Sequence, residues 1–352
     1  MASNTIHSDV RWLLAPILSV AAAANLTGGE LRRFEAVQPH MGTLVRITVY
    51  TPDEQTADRA FRAAFDRIRE LDGILSDYRS DSELSRVTVT AVGRAVRVSN
   101  DLFTVLRASQ ELSEGTDGAF DITQGTVVRL WREARKTKRA PDPYVLEEAS
   151  RRGGFRKLHL DAEHRTVRCD IPGMKLDVGA IGKGYAASEA LEALSRLGVR
   201  RALVAVSGDL AFGDAPPGQH GWRIAVHAED PSMTDVPRVL ELTNAAVSTS
   251  GNAQQHVDID GRRYSHIVDP SSGMALSDDL TVTVIAPHGL EADGLDTAIS
   301  VIGARRGVAL IESRPATAAL IIQRSSGGVT ALTSSRFVAL VNRSSASQVR
   351  RF

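Results

Sequence analysis

An α+β protein, with a mainly antiparallel or mixed sheet and helices packed on it, is what this sequence predicts. Short runs of alternating apolar and polar residues recur at hairpin-length spacing along most of the chain. Stretches with an apolar residue every three or four positions interrupt them. Neither a clear linker nor a fixed-period repeat divides the chain, so residues 31–342 read as one domain. At 352 residues the chain is long enough to bury a substantial core.

Residues 1–30 are set apart. Arg11, an apolar run from Trp12 to Ala24 and an Ala-x-Ala end follow the order of a secretory signal: charge, short greasy core, small-residue cleavage site. Asp9 offsets the arginine, so a flexible extension is the alternative. Pro16 and the short length argue against a membrane span, and no cysteine follows that would carry a lipid. A cleaved signal predicts the periplasmic side of the inner membrane, and an uncleaved extension predicts the cytoplasm.

The folded part begins after Gly28-Gly29. "TLVRITVY" alternates and reads as a half-buried strand. Asp53 is placed to cap a helix on which Ala57, Phe61, Ala64, Ile68, Leu71 and Leu75 share one face. "RAVRV" is a short strand, and a helix starts at Asn100 with Leu102, Val105, Leu106 and Leu112 facing inward. The charged stretch "REARKTKRAPDPYVLEEA" reads as a solvated excursion, partly helical after Pro143. "RKLHL" and "TVRCDI" flank the turn "DAEHR" as a hairpin. A helix from near Gly182 carries Leu191, Leu194 and Leu197 inside and stops at Gly198. "ALVAVSG", "WRIAVHA", "VLELTN", "AVSTSG", "YSHIV" and "LTVTVIAP" are strand candidates. Helices span Leu290 to Ile302 and Arg306 to Glu312, and "AALIIQ" and "FVALV" close the sequence. Residues 343–352 are polar and read as a disordered tail.

Composition removes several function classes. With 42 basic and 42 acidic residues, no global field steers the chain to nucleic acid or anionic lipid. Aromatic residues make up only 5%, which argues against a base-stacking surface. The single Cys169 forms neither an internal disulfide nor a cysteine zinc cluster, and reads as a small buried apolar residue.

Chemistry gathers at turns. "DGAFDITQG" places Asp117, Asp121 and Thr123 around a bend, and "VSTSGN" and "YSHIVDPSSG" put Ser248, Thr249, His266 and Asp269 near strand ends. The stretch "KLDVGAIGKGYA" resembles a phosphate loop only at first glance. A P-loop needs glycine where Asp177 stands and Ser or Thr where Gly184 stands. Lys183 near a helix start opposes the dipole unless an anion shares that end. Asp293 and Thr297 lie one turn apart on a helix, where a carboxylate and a hydroxyl make hard donors suited to magnesium; ordinary helix caps are the alternative. His266, beside the apolar Ile267, is either a hydrogen-bonded core histidine or a base near neutral pH.

Taken in order, these motifs resemble the ApbE family, the FAD:protein FMN transferases. The resemblance rests on "MGT", "LSDYRSDSELSRV", "DGAFDITQG" with "LW" beyond, "LDVGAIGKGYA", "VSGDLAFG", "VSTSGN", "YSHIVDPSSGMAL" and "VTVIAPHGLEADGLDTA". It implies an α+β fold with FAD in a groove at the sheet edge, and FAD as substrate. It implies that Met41, Tyr78, Ala119, Phe120, Asp121, Asp177, Lys183 and Ile267 lie near the flavin nucleotide. The Ala180 carbonyl, Asp293 and Thr297 are the implied magnesium ligands, and His266 matches the proposed catalytic histidine. The activity so implied moves FMN from FAD to a Ser or Thr hydroxyl of an acceptor protein and releases AMP. FAD pyrophosphate hydrolysis to FMN and AMP, or flavin binding without turnover, remain alternatives. The chain departs from the family pattern at Ser207, which stands where a glycine is common. Asp296, inside the metal turn, either adds a ligand or faces solvent.

Overall fold

The computed structural model describes residues 30–227, 236–251, 256–325 and 327–349, with side chains as far as Ser344. The stretch read as an export signal lies outside the described residues, apart from Glu30 at its end. From Leu31 onward the chain is one compact unit.

The hairpin β1 (Arg32–His40) and β2 (Thr43–Thr51) comes first, followed by α1 (Glu54–Leu75), α2 (Glu83–Thr90), β3 (Val96–Arg97) and α3 (Asn100–Gly115). Next are α4 (Gly125–Thr137), α5 (Pro143–Arg151), β4 (Leu158–Asp161), β5 (Thr166–Cys169) and α6 (Gly182–Arg196). Strands β6 (Ala202–Val206), β7 (Asp209–Phe212), β8 (Trp222–Ala225), β9 (Val239–Leu242), β10 (Ala245–Gly251), β11 (His256–Ile259) and β12 (Arg262–Ser265) follow. The chain continues through β13 (Asp279–Ala286), α7 (Gly289–Ile302), α8 (Ala304–Glu312), β14 (Ala318–Ser325), β15 (Gly328–Thr333) and α9 (Ser335–Val349).

Among the described residues the main sheet has eight strands in the order β1-β2-β6-β7-β10-β13-β14-β15. Every neighbouring pair in it is antiparallel, three of them (β1–β2, β6–β7 and β14–β15) joined by hairpin-length links. Both faces are covered, so the central strands read as nearly continuous apolar runs rather than alternating ones. On β14, Ala319 and Ile321 join the core under α1, α6 and α7, whereas Ala318, Leu320 and Ile322 join the core with Trp222, Leu240 and Phe337. That is the period-two division a pleated strand imposes.

A third, smaller core gathers Val127, Trp131 and Ala134 of α4, Leu146 and Ala149 of α5, and Val257, Ile259, Val268 and Ala275. The stretch expected to be a solvated excursion is therefore helical over most of its length: α4 runs from Gly125 into it as far as Thr137, and α5 begins at Pro143 as expected. Arg129, Glu133 and Lys136 face out, Arg132 and Arg135 are half-buried, and residues 127, 131 and 134 make one buried stripe, an amphipathic pattern that the dense charge conceals. The expected disordered tail from 343 is also corrected, because α9 runs on to Val349. The "FVALV" segment lies in this helix; Phe337 is buried against the sheet, and the Ser344 hydroxyl accepts from the Glu241 N–H at 3.3 Å. Of the leucines expected inside α6, Leu194 is buried but Leu197, at the helix C-cap, is 53% exposed. Cys169 is buried as expected, and burial pushes its thiol up to about 11.

Candidate active site

The sheet has a notch in its middle. β6 and β7 turn at Ser207-Gly208, while the start of β2 and the end of β10 run past that turn on either side. Met41, Gly42 and Thr43 on one side and Ser248 to Gly251 on the other become walls of a groove of about 700 Å³. Met41 is held there by the β1–β2 turn, where it and Gly42 both take left-handed backbone angles (φ 51° and 71°). Ser207 likewise sits at φ 59°, a conformation glycine adopts without strain.

One wall is the crossing of α6 and α7. A Cβ on Gly184 would stand 2.1 Å from the Gly289 carbonyl oxygen, so only glycine permits this approach. The α6 N-terminus has no side-chain cap of its own; instead Asp293 of α7 accepts the Gly184 N–H at 2.9 Å. The Lys183 ammonium donates to Asp209 at 2.9 Å and lies 3.7 Å from Asp293. The anions that this lysine and this helix end require thus come in part from the protein itself. Burial alone would depress Lys183; Asp293 and Asp209 outweigh burial and raise its pKa.

Asp293 and Asp296 are 3% and 2% exposed, so Asp296 does not face solvent. The Ser248 hydroxyl lies 2.5 Å from one oxygen of Asp209 and 2.6 Å from one of Asp296. Thr297 donates to the other Asp296 oxygen at 3.2 Å. Burial, then the neighbouring Asp209, raises Asp293 to about 7; burial, then Asp293 and Asp209, places Asp296 well above an ordinary carboxylate. Three carboxylates share one ammonium here, and a single serine proton cannot serve two of them at once. Among the described residues, no group of three or more His, Cys, Asp or Glu could by itself hold a metal ion.

The opposite wall is built from α4 and the loops around it. Asp177 accepts the Gly179 N–H at 2.9 Å and pairs with Arg132 at 2.6 Å, which explains a carboxylate at this point of the "LDVGAIGKG" stretch. Burial, then Asp77, raises the Asp177 pKa. Arg132 also pairs with Asp77, and its guanidinium carbon stands 4.5 Å from the Tyr78 ring centre. Asp121 spends its oxygens on its own loop, accepting from the Thr123 N–H at 2.8 Å and hydroxyl at 2.6 Å and from the Phe155 N–H at 3.1 Å.

His266 follows β12 and is half-buried. Its stretch folds back as a second hairpin: the Leu276 N–H donates to Ile267 at 2.9 Å, and Asp269 accepts from Ser271 and Ser272 in the turn. The indole N–H of Trp131 donates to the Gly273 carbonyl at 2.9 Å, tying the loop to α4.

Every residue picked out on the strength of the resemblance lines this one groove: Met41, Tyr78, Ala119, Phe120, Asp121, Asp177, Ala180, Lys183, His266, Ile267, Asp293 and Thr297. Asp117, Thr123 and Asp269 do not line it. The sequence reading missed Arg132 and Arg135, because their helix was not recognised, and gave no role to Asp209, whose partners are distant in the chain. A stripe of apolar residues at 127, 131 and 134 was the signal available for α4.

Fold and groove together define an α+β protein with a carboxylate-rich cleft at the interruption of a single antiparallel sheet. The ApbE family model matches residues 41–321, and the chain belongs to that family. It is 30% identical over 292 residues to the FAD:protein FMN transferase of Salmonella typhimurium, covering 82% of this chain and 83% of that protein. With the FAD:protein FMN transferase of Treponema pallidum it shares 30% over 332 residues, 90% of this chain and 92% of the relative. The flavin transferase ApbE of Vibrio cholerae superposes with a TM-score of 0.79 at 28% identity, covering 88% of this chain and 100% of that one. The apo flavinyl transferase ApbE of Pseudomonas stutzeri gives 0.76 at 31%, over 88% and 96%.

Proposed function

We propose that this chain transfers the FMN moiety of FAD to a Ser or Thr hydroxyl of an acceptor protein and releases AMP. The observation that carries this reading is the convergence of Ala180, Lys183, His266, Asp293 and Thr297 on one groove, in a chain whose curated relatives bear that activity in their names.

The residues fit a divalent cation. Three buried carboxylates against one ammonium leave the wall short of positive charge, and burial without more of it pushes the pKa values of Asp293 and Asp296 up. Asp293, Thr297 and the Ala180 carbonyl are hard oxygen donors of the kind magnesium takes, with a substrate phosphate completing the set. Bound there, magnesium would neutralise charge on the pyrophosphate of FAD.

The chain's own groups account for the rest. Lys183, held at the rim by Asp209, meets the phosphate on the AMP side and stabilises charge as that group departs. His266 takes the proton from the acceptor hydroxyl, whose pKa is far above 7. That oxygen forms a bond to the phosphorus on the FMN side while the bridging bond to AMP breaks. The proton rests on His266, FMN remains esterified to the acceptor, and AMP carries the electron pair away. Alignment of hydroxyl, phosphorus and leaving oxygen by the two walls is the remaining contribution.

The test is incubation of the protein with FAD, magnesium and a candidate acceptor, read by in-gel flavin fluorescence and by AMP release. Fluorescent acceptor with matching AMP, abolished by EDTA, is expected. Rapid AMP without acceptor would make the protein a pyrophosphatase, and tight FAD binding with no AMP in either case would make it a flavin carrier. On the export reading the acceptor faces the periplasm. Recovery of the mature protein there, cleaved near Ala24, is the expected outcome, and an intact cytoplasmic chain contradicts it.

A further inference from the structure

Tyr78 is 75% exposed although a guanidinium covers one of its faces, and it lines the groove. An exposed ring on a loop between α1 and α2 is free to turn about its side-chain bonds unless something fixes it. Arg132 is what fixes it. The guanidinium is anchored on two carboxylates, Asp177 at 2.6 Å and Asp77, and α4, which carries it, is fastened by buried Trp131. Three groups from separate stretches of chain thus hold one flat cation against one flat ring.

We propose that Arg132 is a positioning residue: it props Tyr78, which the family resemblance already sets near the flavin nucleotide, so that the ring is held ready to stack on a planar ring of FAD. The inference rests on the reading of FAD as substrate. A tyrosine face backed by a cation has one side left, and the groove is where that side can meet a ligand. FAD brings two flat heteroaromatic rings, the isoalloxazine and the adenine, and either fits this chemistry. Arg135, one turn further along α4, also lines the groove and has no ion pair among the described residues. It therefore adds positive charge on the same side, where a ligand with phosphates is drawn in.

The test uses the full-length protein in magnesium buffer without acceptor, with affinities for FAD, FMN and AMP measured separately. Arg132→Lys keeps a charge for Asp77 and Asp177 but cannot stack; Tyr78→Ala removes the platform and leaves the ion pairs intact. Each is expected to melt with the wild type and to weaken FAD about 5- to 10-fold. The double variant is expected to be no weaker than Tyr78→Ala alone, because the arginine acts through the ring. Loss confined to FMN places the isoalloxazine on Tyr78, and loss confined to AMP places the adenine there; either outcome supports the proposal. Unchanged FAD affinity in Arg132→Lys, losses that multiply in the double variant, or equal loss for FMN and AMP would overturn it. A wild type that binds FAD but never flavinylates a protein would refute the functional reading while leaving this result standing. A wild type with no affinity for FAD refutes both.

Discussion

Asp293 is buried between a helix N-terminus and a lysine, and burial together with Asp209 raises its pKa to about 7. A carboxyl whose folded-state pKa lies above its unfolded one favours folding while protonated. That contribution is complete below about pH 4 and is lost as pH rises toward 7. In metal-free buffer, thermal stability is therefore expected to fall between pH 5 and 7.5, and Asp293→Asn to flatten the fall. The difference is roughly 2–4 kcal/mol at the upper end. Magnesium should restore the wild type at pH 7.5 and do little for the variant. Melting curves across pH with EDTA or magnesium check this, and a wild type whose stability rises with pH in EDTA would rule it out.

The element that matters most is the crossing of α6 and α7. It places Lys183 on one helix beside Asp293 and Thr297 on the other, and it closes only because Gly184 and Gly289 let the backbones touch. Gly184→Ala puts a methyl where the Gly289 carbonyl already stands. The helices must part, at a cost of about 1–3 kcal/mol as for other overpacked contacts. The larger effect is expected on function: Asp293 would release the α6 N–H and move off Lys183, so magnesium dependence should shift to higher concentration. Denaturant unfolding and a magnesium titration of transfer measure the two parts. A variant of normal stability and normal magnesium response would show that the close approach does not organise the site. On the other wall, α4 plays the matching part, since Trp131 ties it to the hairpin that presents His266.

At the scale of the molecule, five of the eight strands of the main sheet and most of the helices were legible because period-two and period-3.6 patterns are local, whereas β1, β7 and β15 were not read. α1 carries a clear apolar face and a capping Asp53, α6 and α7 read as helices from their apolar residues and the glycines that follow them, and β13 and β14 read as strands from their apolar runs alone. α4 was hidden because arginine and lysine outnumber the apolar residues that define its buried stripe. The tail misled for a similar reason: serine-rich sequence suggests disorder, yet α9 finds the sheet face to cover. Individual site residues were legible through the family resemblance, but their pairings were not. Arg132 meets Asp177 across 45 positions, Lys183 meets Asp209 across 26, and Gly184 meets Asp293 across 109. No local pattern encodes such distances. They follow from the order of strands in the sheet, in particular from the short β6–β7 hairpin that opens the notch.

In the proposed reaction a single groove serves both substrates, with His266 at the hydroxyl that attacks. Single-turnover transfer by His266→Ala, with FAD affinity measured on the same sample, tests this most directly. The rate is expected to fall about 10²- to 10⁴-fold while FAD binds within about a factor of three of the wild type. A variant that transfers FMN at the normal rate, or one that no longer binds FAD, would contradict it.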